Sequence, residues 1–123
     1  MIEVVLPWPP AILSPNARPH WAAKAKAVKS YRAACFLACR QSKLHVPPAP
    51  GKLHLWIDFH PPSARPIDDD NCLSRFKAGR DGIADYLGLD DKWFVSHPFV
   101  KDKIPGGCVK VRFTGGPEVE RTA

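Results

Sequence analysis

Lys52-Leu53-His54-Leu55-Trp56-Ile57-Asp58-Phe59-His60 alternates along its length, with Leu53, Leu55, Ile57 and Phe59 falling on one side and His54, Trp56 and Asp58 on the other. A period of two with one apolar face predicts a strand lying on a core. Proline clusters bound it at Pro47 to Pro50 and at Pro61 to Pro66. Proline removes a backbone donor and fixes φ, so these clusters separate elements rather than fill them.

Beyond the second cluster comes the acidic run Asp68-Asp69-Asp70-Asn71, and then apolar positions Leu73, Phe76, Ile83, Ala84 and Leu87 at helical spacing. A helix is expected from about Asp70 to Leu87, closed by Gly88 in a left-handed conformation. Two further strands are expected, about Phe94 to Lys101 and Cys108 to Phe113, joined through a Pro105-Gly106-Gly107 turn. On the amino-terminal side, Ile2 to Leu6 reads as a first strand stopped by Pro7. His20 to Ser42 reads as an amphipathic helix whose apolar positions are Trp21, Ala25, Val28, Cys35 and Cys39. The order predicts an α+β fold, a small mixed β-sheet with two main helices packed on it. At 123 residues one domain is expected, spanning 1–114, with 115–123 as a flexible tail.

The chain carries a net charge of +6, yet seven of its twelve acids lie between Asp68 and Asp91. Residues 1–60 hold eight Lys/Arg against two acids, whereas residues 61–100 hold five against seven. A basic flank favours a polyanionic partner, and Lys24, Lys26, Lys29 and Arg32 on the first helix, with Arg65 and Arg75 later, are the candidate phosphate ligands. The alternative for the helix lysines is an ordinary solvated face.

The start of the chain lacks the basic run and apolar stretch of a signal peptide, and no run of about 18 apolar residues is present to span a bilayer. A cytoplasmic protein without a membrane role is expected. Cys35, Cys39, Cys72 and Cys108 form no CxxC pair, so buried reduced thiols are expected, although Cys35 and Cys39 lie one turn apart and zinc is conceivable.

Several carboxylates with no His or Cys among them select a hard cation, Mg2+ or Mn2+. In an extended segment Asp68 and Asp70 would project to the same side, and Asp90 or Asp91, after Gly88, could add a third oxygen. The bland alternative is a capped helix followed by an acidic turn. Lys77 lies seven residues after Asp70, about two turns and roughly 10 Å along one helix, where it could reach a phosphate. It is also four residues before Asp81 and could pair with it. Trp56 and Trp93 are open to base stacking or to core packing; His60 and His97 are read as structural.

The run Asp68-Asp69-Asp70-Asn71, the helix with Lys77 and Asp81-Gly82, and Gly88-Leu89-Asp90-Asp91 together resemble the RusA family of Holliday-junction resolvases, bacteriophage and prophage members above all. Leu6-Pro7-Trp8-Pro9-Pro10, Leu13-Ser14-Pro15-Asn16 and His20-Trp21 are similar to that group's amino-terminal segment, so the resemblance runs from Ile2 to about Phe113. It implies a RusA-like homodimer that binds branched DNA and nicks two opposed strands of a four-way junction using Mg2+, for which Mn2+ can substitute, with no organic cofactor. The family's D-x-D-N pattern falls on Asp68, Asp70 and Asn71, and its last metal-binding acid on Asp91. Asp69 and Asp90 occupy less critical neighbouring places. The family's catalytic lysine sits about one turn after the Asn, which points to Ser74 or Arg75; helical phase and the Lys-to-Asp spacing favour Lys77, with Arg75 as the fallback. A non-catalytic junction or duplex binder that keeps the fold is the alternative from another class.

Overall fold

A computed structural model describes residues 2–47 and 51–115. In chain order the elements are β1 (Ile2–Pro7), a 3-10 turn (Ala11–Leu13), α1 (Trp21–Gln41), β2 (Leu53–His60), α2 (Asp69–Arg75), α3 (Lys77–Leu87), a second 3-10 turn (Asp91–Trp93), β3 (Phe94–Val100) and β4 (Cys108–Gly115). The fold is α+β, as expected, with three α-helices among the described residues rather than two. No helix among the described residues is long and apolar enough to cross a membrane.

One mixed sheet has the order β1-β4-β2-β3. β4 runs antiparallel to both β1 and β2, while β2 and β3 are parallel, with Leu53 opposite Phe94 and Phe59 opposite Val100. Parallel neighbours need a crossover, and α2 with α3 supplies it. The Pro105-Gly106-Gly107 turn therefore does not close a hairpin. It carries the chain from the edge strand β3 past the end of β2, pinned where Lys101 N donates to Phe59 O at 2.9 Å and Ile104 N to Pro61 O at 3.0 Å.

The alternation in β2 sorts as its sequence predicts. Leu55, Ile57 and Phe59 are fully buried and Leu53 nearly so, together with Val4, Leu6, Val109, Val111 and Phe113 from the other strands. The helices cover that face with Tyr31, Cys35, Cys39, Cys72, Phe76 and Ile83. Each large side chain removed from water contributes about 1.5–3 kcal/mol before chain entropy is counted. Burial pushes the thiol of Cys35 up to about 12 and those of Cys39 and Cys72 up to about 11, which keeps them protonated and unreactive.

The opposite sheet face is a half-buried polar and aromatic layer. Trp56 stacks on His97 at 4.0 Å between centroids and donates its Nε1–H to Thr114 Oγ1 at 2.6 Å. His97 Nε2 in turn lies 2.8 Å from His54 Nδ1. Trp56 thus belongs to neither the core nor an open platform, because its ring face is already occupied.

The helix expected from Asp70 to Leu87 is broken at Phe76. Phe76 N donates to Cys72 O and Leu73 O, closing α2, and Phe76 O accepts from Arg80 N, starting α3. No glycine or proline stands there; the break lets the fully buried Phe76 ring seat against Phe59 and Tyr31. α3 ends as its sequence implies, with Gly88 at φ 68° and ψ 30°. Gly82 sets how near α3 comes to α1, since a Cβ there would run into the Arg32 carbonyl oxygen and lie 3.1 Å from Cys35 Cβ.

Arg32 also ties these two helices, its Nε and Nη2 donating to Asp85 Oδ2 and Oδ1 at 2.6 and 2.7 Å. Those bonds hold the Asp85 carboxyl below the usual carboxylate range. Both side chains are well exposed, so the pair contributes about 0.2–1 kcal/mol. That contribution is fully present above the ordinary carboxyl pKa of about 4 and is lost as pH falls through the depressed folded-state value. Arg32→Ala is expected to return the Asp85 carboxyl to its ordinary range in an NMR pH titration. Stability should fall slightly near neutral pH and not at all once Asp85 is protonated; an unmoved Asp85 titration would refute the pair.

Candidate functional site

The proline-rich loop after β2 delivers the chain to Asp68, which is still extended at φ −90° and ψ 161° and whose Oδ1 accepts from Asn71 N at 2.7 Å. Asp68 is therefore the N-cap of α2, and Asp69 and Asp70 lie inside the first turn, where the helix dipole favours negative charge. Strand alternation consequently does not relate Asp68 to Asp70, because the helix has begun between them. Asp70 is exposed, without a hydrogen bond or ion pair to a described residue.

Lys77 opens α3, and the break at Phe76 removes the single-helix phase argument that linked it to Asp70. Its Nζ instead lies 3.4 Å from Asp81 Oδ1 and 3.6 Å from Asp91 Oδ2. Lys77 thus pairs with Asp81 one turn on, as the spacing allows, and also stands beside the acid that follows Gly88. Asp90 caps the short turn before β3 by accepting from Lys92 N at 3.0 Å, a bond that holds its carboxyl below the ordinary range.

Arg80, which the sequence reading did not single out, organises this turn. Its Nη1 lies 3.4 Å from Asp91 Oδ2, its Nη2 donates to Phe94 O at 3.0 Å and its Nε donates to Ser96 Oγ at 3.0 Å. The available signal was its position three residues after Lys77, on the same side of the helix. What it binds could not be read locally, because every partner lies beyond the end of α3.

Arg75 reaches back to the amino-terminal segment. Its Nε donates to Pro9 O at 3.0 Å, and its guanidinium lies 5.5 Å from the Trp8 ring centre. It braces α2 against the proline-rich opening, which leaves Lys77 as the cation of the two that faces acids. Arg32 is likewise committed to Asp85. Lys24, Lys26 and Lys29 are exposed and form no ion pair with a described residue. Trp93 is 45% exposed, with Lys52 Nζ 5.4 Å from its ring centre, and His60 Nδ1 bonds Asp102 O at 2.8 Å.

Arg65 lines a shallow groove of about 590 Å³ with Lys101 and Lys103, opposed by Asp102. The groove reaches Ile67, the residue before Asp68. Cations thus border the entry to the acidic turn. Among the described residues, no three His, Cys, Asp or Glu side chains are grouped closely enough to hold a metal ion. Asp68, Asp70 and Asp91 therefore form no ready-made cage, and Asp91 is already neutralised by Lys77 and Arg80. Their donor chemistry, three carboxylates, still fits a hard divalent cation.

No family model matches the chain. The chain is 49% identical over 119 residues to an uncharacterized protein of Xylella fastidiosa strain Temecula1, a match covering 94% of this chain and 77% of that protein, and it belongs to the same family.

Proposed function

We propose that this protein is a Mg2+-dependent, structure-selective DNA endonuclease, RusA-like and homodimeric, that resolves four-way junctions by paired symmetric nicks. The observation that carries the reading is the approach of Lys77 to Asp91 at 3.6 Å across the whole length of α3. Asp91, the last metal-binding acid that the RusA resemblance implies, and Lys77, the lysine favoured over Arg75 for the same site, are neighbours here through tertiary contact alone. The basic groove leading to Asp68 adds a path for a phosphate backbone.

In this reading Asp68, Asp70 and Asp91 would hold the cation and Lys77 would engage a phosphate oxygen. Bound there, Mg2+ supplies Lewis-acid polarisation of the phosphate and activation of water. Two chains related by two-fold symmetry would present one site to each of two equivalent strands. The separate positions of the three carboxylates favour a second reading, a junction binder whose acids are structural.

A labelled four-way junction separates the two. Incubation with Mg2+ or Mn2+ is expected to give paired nicks that EDTA abolishes. Junction binding without nicks under every metal condition would leave the binder reading standing and remove the nuclease.

A further inference from the structure

We propose that the amino-terminal half of α1 is a DNA contact in which Trp21 stacks on an unpaired base at a branch while Lys24 and Lys29 hold the adjoining phosphates; this rests on the DNA reading above. The starting observation is that Trp21 is 77% exposed. At about 100° per residue, Trp21 lies on the same line of the helix as Val28, Cys35 and Cys39. Cys35 and Cys39 are fully buried, Val28 is half-buried, and all of residues 21–26 are exposed. The apolar stripe thus continues past the edge of the body and leaves a large ring over solvent. His20 fixes its base: Nδ1 accepts from Ala22 N at 3.2 Å, and the imidazole lies 5.6 Å from the indole.

Charge selects the occupant. α1 carries Lys24, Lys26, Lys29, Arg32 and Arg40 with no acid, and residues 4–57 contain neither Asp nor Glu. Only Arg32 among these five is neutralised by a described partner. A second copy laying its α1 against this one would oppose like charges. A bilayer surface would find only Trp21, Ala25 and Val28 to bury, little apolar area for an interfacial helix. Nucleic acid supplies both a π-face for the indole and phosphates for the cations. Lys24 and Lys29 flank the Trp21 line at about 60° and 80°, whereas Lys26 lies about 140° away. Lys26 is therefore the internal control.

The test measures dissociation constants by fluorescence anisotropy in EDTA, on a labelled four-way junction and on a fully paired duplex of equal length. Trp21→Ala is expected to weaken junction binding about tenfold or more and duplex binding less than twofold, while Trp21→Phe keeps most of the affinity. Lys24→Ala and Lys29→Ala should weaken both DNAs alike and each reduce the salt slope by about 1. Lys26→Ala should do less. Unchanged junction binding by Trp21→Ala, an equal loss on both DNAs, a change of oligomeric state in sedimentation, or loss of binding to anionic vesicles with DNA binding intact would each overturn the proposal.

The cleavage assay keeps the two readings apart. A wild-type protein that never nicks, with a Trp21→Ala variant that still loses the junction selectively, removes the nuclease and leaves the contact. A wild-type protein that nicks, with a variant that binds as it does, removes the contact alone. Wild-type protein that binds neither DNA removes the contact as well.

Discussion

Asp70→Asn is expected to slow junction cleavage in Mg2+ by about 10²–10³-fold while leaving the folded state within about 1 kcal/mol of wild type. The stability half follows from geometry. Asp70 is exposed, makes no hydrogen bond or ion pair to a described residue, and sits one position inside α2. Its charge interacts with the helix dipole for about 0.3–1 kcal/mol, which is all that the amide forfeits. The activity half follows from the proposed ligand role. A metal that polarises phosphate and water supplies several kcal/mol to the transition state, and each 1.36 kcal/mol is about tenfold in rate. Junction affinity in EDTA should be unchanged or tighter, because a negative charge facing phosphates is gone.

Neighbouring acids are poorer probes. Asp68→Asn keeps a good N-cap residue, but Asp68 Oδ1 already accepts from Asn71 N, so a change there mixes helix capping with metal binding. Asp91→Asn weakens the contacts with Lys77 and Arg80 and so mixes folding with chemistry. Single-turnover cleavage, a urea midpoint and an EDTA binding curve on Asp70→Asn together decide the matter. Cleavage at the native rate with the native Mg2+ dependence would sink the ligand assignment.

Much of the architecture was legible because its signals are periodic. β2 shows a period of two over eight residues with one face buried, and only a strand on a core satisfies that. Gly88 was readable because few other residues enter the left-handed region without strain. The break at Phe76 was not, since no residue there disfavours a helix and the cause is an aromatic ring seeking partners in β2 and α1. Strand order was equally hidden. The insertion of β4 between β1 and β2 depends on pairing energies spread across the sheet, not on any local pattern.

The site divides the same way. That Asp68 to Asp70 would start a helix followed from local capping rules. That Asp91 would meet Lys77, or that Arg75 would reach Pro9, depends on where separate elements come to rest. Trp21 shows the converse failure: its spacing put it on the apolar stripe correctly, but spacing does not say where the body beneath a helix ends.

Phe76→Ala is expected to lower stability by about 3–5 kcal/mol, the range for truncating a fully buried aromatic side chain. Phe76 is 0% exposed, and its ring meets Phe59 at 5.7 Å and Tyr31 at 6.3 Å, both edge to face. Gly79 packs so close beneath it that a Cβ there would lie 2.6 Å from Phe76 Cε1. Alanine would leave a void walled by three elements that are held in place by the sheet and by α1, so little collapse can fill it. Against a typical total of about 5–15 kcal/mol, that loss brings the domain near its unfolding threshold. Phe76 also joins α2, which bears Asp68 and Asp70, to α3, which bears Lys77 and Arg80. Phe76→Leu, which keeps most of the volume, should forfeit clearly less and serves as the folded comparison. Urea unfolding should show the midpoint falling in both variants at constant slope, with alanine the lower. Cleavage by folded Phe76→Leu should fall through misalignment of the two helices, with junction affinity in EDTA preserved. A midpoint shift worth less than about 1 kcal/mol in Phe76→Ala would mean that the surrounding aromatics close over the gap, and that Phe76 is not what fixes the angle between α2 and α3.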